Sequence, residues 1–229
     1  MRPVDRGPAP KQYSKYSDSI CDLESRLGSY CSYCERRMPN GLAVEHKIPK
    51  TLRSGLELDW TNFLLGCVIC NSIKGGTVSI NPEVLWPDLN NTLLALDYSK
   101  GGFVGVSEDL DSVLERRAKA LIDLVGLDRH GADDWPRRTR RDKRWSEREK
   151  VWRVAEKFRA ELEQAGERYD SILQLAVDAA TGFGFFSVWF KVFEDHSELR
   201  NALINAIPGT AKVCFNADAD PIPRPNADI

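Results

Sequence analysis

The sequence has no long hydrophobic run, no excess of charge of either sign and no internal repeat, and each absence removes a class of protein. Its longest apolar tract, Phe183-Gly184-Phe185-Phe186-Ser187-Val188-Trp189-Phe190, stops at Lys191. That is too short to cross a bilayer core of about 30 Å, so it reads as a buried helix and membrane association is not expected. The opening residues Met1-Arg2-Pro3-Val4-Asp5-Arg6-Gly7-Pro8 lack the apolar stretch of a secretory signal, which predicts a cytoplasmic protein. The formal net charge of -2 gives the whole chain no field with which to gather a polyanion, so only local charge can mark a nucleic-acid contact. Histidine is scarce as well: His46, His130 and His196 are the full set, and only His46 has chemically suggestive company.

What is present suffices for a core. A chain of 229 residues with 42% hydrophobic content can fill one large domain or two modest ones. Residues 1–17, rich in Pro, Arg and Lys, read as an extended arm and not a packed element. Ile20, Leu23 and Leu27 form a helical stripe that Gly28 stops. A cysteine-framed module runs from Tyr30 to Gly76, with turns at Pro39-Asn40-Gly41 and Gly75-Gly76, inside a unit spanning 18–106. The loop-rich stretch from Thr77, with Pro82 and Pro87, leads to short strands expected at Leu93–Leu96 and Phe103–Val106.

Residues 107–217 read as helical. One helix is expected from an N-cap at Ser107 through Val125, ended by Gly126. A second covers roughly Arg141 to Gln164, and a third, apolar nearly all round, starts at Tyr169. From Asp218 the Pro-rich end reads as a disordered tail, 218–229. The fold class is thus α+β and mainly helical, a small metal-stapled module followed by helices.

Four of the six cysteines form two Cys-x-x-Cys pairs, Cys31 with Cys34 and Cys67 with Cys70. In a reducing compartment such pairs bind metal more often than they form disulfides. A two-residue gap lets both sulfurs of a knuckle face one ion, and two knuckles complete a tetrahedral thiolate site for Zn²⁺. With four protein ligands this zinc is structural, because no coordination position remains for substrate.

Between the knuckles, Leu42-Ala43-Val44 predicts a short strand ending at the charged pair Glu45-His46, and Asn62 and Asn71 follow, the latter directly after Cys70. This order resembles the HNH endonucleases: Cys-x-x-Cys, acidic residue plus His, Asn, then Cys-x-x-Cys-(His or Asn)-x-x-Lys. The resemblance covers about Tyr30 to Gly76 and implies a ββα-metal module. It also implies that His46 is the general base that activates water, that Asn62 orients the histidine, and that Glu45 and Asn71 hold a catalytic Mg²⁺ or Mn²⁺. Asn in the last position makes this an HNN variant. The chemistry is coherent by itself. An imidazole of pKa about 6.5 can take a proton from water near neutrality, and a carboxylate with an amide oxygen suits Mg²⁺.

Lys47 beside the histidine and Lys74, one turn beyond Asn71, are candidate phosphate contacts. So are Arg137, Arg138, Arg140 and Arg141 in the basic run 137–144, which Arg148, Lys150 and Arg153 extend, although charge runs are more often solvated helix faces. Along its whole length the chain is similar to the HNH component of bacterial Septu-type anti-phage systems. That likeness implies an ABC/SMC-like ATPase partner and a nucleic-acid substrate, DNA favoured and tRNA possible. The competing class is a zinc-ribbon binding or assembly module whose HNH site is inactive.

Overall fold

The computed structural model describes residues 1–75 and 84–229. Gly76 of the expected glycine turn, and Pro82 with the start of the loop-rich stretch, lie outside the described residues. The first unit is built on a short antiparallel hairpin, β1 (Leu42–His46) and β2 (Phe63–Cys67), with Leu42 opposite Cys67 and His46 opposite Phe63. The chain passes from β2 straight into α2 (Val68–Lys74), giving ββα order. Helix α1 (Ile20–Leu27) covers β2 through its buried Leu23 and Leu27 and ends at Gly28, whose positive φ of 73° suits glycine. β2 is buried along its whole length, which is why its sequence, Phe63-Leu64-Leu65-Gly66, shows no alternation.

A helical turn α3 (Thr92–Ala95) leads into a second antiparallel hairpin of β3 (Leu96–Ser99) and β4 (Phe103–Val106). The expected strand at Leu93–Leu96 is therefore displaced towards the C-terminus. Asn91 causes the shift: its side chain accepts from the Leu93 N–H and caps a helical turn there. Helix α4 (Ser112–Val125) starts five residues after Ser107, because Asp111 is the N-cap, accepting from the N–H groups of Val113 and Leu114 at 2.8 and 2.9 Å. Gly126 closes it in the left-handed conformation, as expected.

Helix α5 (Arg144–Glu163) lies against α6 (Tyr169–Phe183) and α7 (Phe186–Val192), and α6 lies against α8 (Ser197–Ala206). The apolar tract read as one buried helix is thus two. Gly184 and a left-handed Phe185 turn the chain between α6 and α7, and the Phe185 N–H donates to the Glu35 carbonyl at 2.9 Å. That anchor is a long-range contact which periodicity does not encode.

The expected division at residue 106 is not a boundary between cores. Cys31, Phe63 and Leu65 of the first unit share one contiguous apolar cluster with Leu121, Ala155 and Trp189 of the helices. Nor are the two ends loose. Met1 and Val4 are fully buried, the Val4 N–H donates to Pro87 at 2.7 Å, and Arg224 donates to the Val4 carbonyl at 3.0 Å. Ile229 is buried, and the Asn91 amide donates to the carbonyls of Cys214 and Ile222 at 2.8 Å each. Polar composition misleads at both ends, since Arg2 and Arg6 are buried but spend their donors on carbonyls, a hydroxyl and a carboxylate.

Glu35, in the loop after the first knuckle, holds several of these pieces together. Its buried carboxylate accepts from the Arg2 N–H, from the Ser187 N–H at 2.9 Å and from the Ser187 hydroxyl at 2.6 Å. Glu35→Ala leaves these donors without partners and is expected to destabilise by on the order of 3 kcal/mol. A shift of the urea midpoint at constant slope measures this, and an unchanged midpoint would mean that water replaces the carboxylate.

Candidate active site and cysteine centre

The two knuckles close on each other. Cys31, Cys34, Cys67 and Cys70 are all buried free thiols, and their sulfurs lie within 4.8 Å of one another. The Cys34 and Cys67 sulfurs are 3.7 Å apart, close to the edge of about 3.8 Å for a tetrahedron of 2.3 Å zinc–sulfur bonds and far beyond the 2.05 Å or so of a disulfide. Backbone geometry sets the donors around them. The Cys67 N–H points at the Cys31 sulfur at 3.4 Å, and the Cys70 N–H points at the Cys67 sulfur at 3.5 Å, capping α2. The Ser32 N–H donates to the Leu65 carbonyl at 2.8 Å and ties the first knuckle to β2. Four soft donors so arranged fit a metal such as Zn²⁺.

His46 ends β1 as a half-buried ring held from three sides. Tyr16 meets it edge-on at 4.8 Å, Phe63 at 5.1 Å, and Nε2 lies 2.9 Å from the Glu57 carbonyl. A carbonyl only accepts, so in the neutral ring Nε2 carries the proton and Nδ1 keeps its lone pair. Among the described residues Asn62 makes no side-chain hydrogen bond to the histidine. It fixes the segment between: its Oδ1 accepts from the Ile48 N–H at 2.8 Å, and its Nδ2 donates to the Ile48 and Leu56 carbonyls at 2.9 and 3.3 Å. Asn62 thus ties down the loop that carries the Glu57 carbonyl. Lys50 braces the same loop, 2.9 Å from the Glu57 carboxylate and over the Tyr16 ring.

Glu45 is buried, and its Oε1 is 2.5 Å from the Lys74 ammonium, which also donates to the His46 carbonyl at 2.7 Å. Burial pushes the Glu45 carboxyl above its usual range, while Lys74 pulls it back. Asn71 precedes Lys74 by three residues and so shares its face of α2. Among the described residues its side-chain amide has no hydrogen-bond partner.

The expected phosphate contacts divide. Lys74 and Lys47 are both buried, Lys47 in an ion pair with Asp88 at 2.5 Å, so neither presents a free charge to solvent. Arg137 bridges Asp123 and Asp128 at 2.5 and 2.9 Å, and Arg138 pairs with Asp133. Arg140 and Arg141 are exposed, whereas Arg144 and Arg148, in the same run, point into the core. Sequence reasoning missed Tyr16, Phe63 and the Glu57 carbonyl around His46. A carbonyl from an irregular loop leaves no trace in residue type, and Tyr16 stands thirty positions away.

Residues 31–77 match the family model described as HNH endonuclease. The chain carries an HNH endonuclease domain. The matched span holds both knuckles, Glu45, His46, Asn62 and Asn71, which marks this as a nuclease, a hydrolase. Beyond the HNH domain, the chain is similar to the Septu protein PtuB of Bacillus thuringiensis, 29% identical over 189 residues, covering 76% of this chain and 68% of that protein. No helix among the described residues is long and apolar enough to cross a membrane.

Proposed function

We propose that this chain is a metal-dependent endonuclease of an anti-phage defence complex, cutting DNA in the cytoplasm together with an ABC/SMC-like ATPase. The observation that carries the reading is the 2.9 Å contact of His46 Nε2 with the Glu57 carbonyl: a carbonyl only accepts, so Nε2 donates and Nδ1 is left as the proton acceptor. Nδ1 takes a proton from water, the resulting oxygen attacks phosphorus in line, and the bond from phosphorus to the 3′ oxygen breaks. The leaving oxygen takes its proton from solvent. Glu45 and Asn71 would hold a divalent cation such as Mg²⁺, which supplies charge stabilisation for the phosphate and the leaving oxygen. Exposed Arg140 and Arg141 supply backbone contacts. The Septu name of the relative supports the defence role, and the balanced net charge of -2 supports a partner that brings the nucleic acid.

The competing reading, an inactive HNH site in an assembly module, draws on the Lys74–Glu45 ion pair. It is the weaker one, because Lys74 lies 2.5 Å from Oε1 and the carboxylate has a second oxygen to offer a cation. Asn71→Ala discriminates between the two. It should lower cleavage at millimolar Mg²⁺ and be rescued in part by excess Mg²⁺ or Mn²⁺, since only cation affinity is lost. Rates as a function of metal concentration read this out; identical metal dependence in variant and parent removes Asn71 from the cation site.

Arg140→Gln with Arg141→Gln should weaken DNA binding and flatten its salt dependence by about two phosphate contacts. A fluorescence titration at several ionic strengths measures that slope, and an unchanged slope assigns the exposed pair to solvent.

A further inference from the structure

Two arginines of the basic run are buried where a charge needs a reason. Arg144 is 1% exposed, and its Nη1 donates to the Cys70 sulfur at 3.1 Å. Its remaining donors go to the Asp142 carboxylate and, at 2.7 Å, to the Gly126 carbonyl that ends α4. Arg148 is 2% exposed, one turn further along α5. It donates to the Gly102 and Leu127 carbonyls at 3.0 Å each, and its Nη1 has no partner among the described residues. Asp142 offsets Arg144, but among the described residues no carboxylate is in an ion pair with Arg148. A buried cation without a counter-charge is costly. The cysteine centre is an anion close to both, since Arg144 donates to the Cys70 sulfur and Cys34 acts electrostatically on Arg148 beside Asp142, and four thiolates around a divalent ion would leave a net charge of about -2.

We propose that the cysteine centre holds α5 as well as the HNH domain: Arg144 positions the Cys70 thiolate, Arg148 adds the second buried positive charge, and metal retention is coupled to docking of the N-terminal turns of α5. The proposal rests on the reading that the four cysteines bind zinc. Geometry supplies the coupling on both sides. The first knuckle reaches α5 through Arg36, whose Nε is 2.7 Å from the Glu147 carboxylate, while α2, which carries Cys70, lies against α4. The Arg144 donor set spans the second knuckle, the end of α4 and the residues that lead into α5, so the cysteine centre sits where the HNH domain meets the helices.

The test uses the full chain and begins with elemental analysis, where about one zinc per chain is expected. Zinc is then withdrawn with a chromophoric chelator. Arg144→Gln should lower the apparent zinc affinity by about 10- to 100-fold, with Arg144→Lys, which keeps charge but not geometry, in between. Arg153→Gln, an exposed arginine of the same helix, should match the parent. Hydrogen exchange on the parent needs no variant and stands if Arg144→Gln does not fold. On zinc withdrawal, protection should fall together in residues 31–37, 67–74 and 140–151 while α8 keeps its own. Zinc present but equally retained by Arg144→Gln, or protection of 140–151 surviving zinc loss, or collapse of α8 along with it, overturns the coupling alone. Absence of zinc from the parent overturns the zinc reading and the coupling with it.

Discussion

His46→Ala is expected to lower the rate of phosphodiester cleavage by about 10²- to 10⁴-fold, the range that a positioned general base supplies, while leaving zinc content unchanged. The ring is half-buried at the end of β1 and its contacts are to Tyr16, Phe63 and the Glu57 carbonyl, none of which holds the cysteine centre. Its loss should therefore cost on the order of 1 kcal/mol in stability and far more in rate. The check is a single-turnover assay at matched Mg²⁺ beside a thermal melt of the same sample. A variant that cuts at the parental rate would move the base elsewhere, while a variant that melts far below the parent would reassign His46 to the fold.

Cys67→Ser should act on the fold instead. Cys67 ends β2, its sulfur caps α2, and it stands 3.7 Å from the sulfur of Cys34 across the knuckles. Removing one thiolate from a tetrahedral site forfeits much of the metal's contribution, on the order of 10 kcal/mol for small zinc modules, which is comparable with the whole stability of an ordinary domain. The variant is expected to be zinc-poor and readily cleaved by protease between residues 31 and 74, and treatment of the parent with a strong chelator should reproduce that pattern. A zinc-free Cys67→Ser protein that melts with the parent would show that the apolar cluster suffices without the metal.

How much of this was legible in the sequence depends on the range of the interaction. Elements fixed by local signals stand where their residues put them: α1 with its Gly28 stop, β1 running to His46, and α4 ending at Gly126. The cysteine spacing was equally explicit, because ligand geometry is a local requirement of the ion. Elements fixed by distant partners were not. The break between α6 and α7 depends on Phe185 reaching Glu35, and the burial of both chain ends depends on Val4, Pro87, Asn91 and Arg224 finding one another. Charged residues misled most. Lys47, Lys74, Arg144 and Arg148 look like a surface suited to phosphate, yet all four are buried, because carboxylates, carbonyls or a cysteine sulfur meet them inside. A sequence gives the charge of a side chain but not the counter-charge opposite it.

In the proposed mechanism His46, backed by a divalent cation at Glu45 and Asn71, carries the cleavage. The most direct measurement incubates the purified chain, alone and with its candidate ATPase, with plasmid DNA and with tRNA, in Mg²⁺ and in EDTA, beside His46→Ala prepared identically. The account predicts DNA cleavage in Mg²⁺ that is strongest with the ATPase and is lost in EDTA and in His46→Ala. No cleavage of either nucleic acid under any of these conditions, or equal cleavage by His46→Ala, would contradict it.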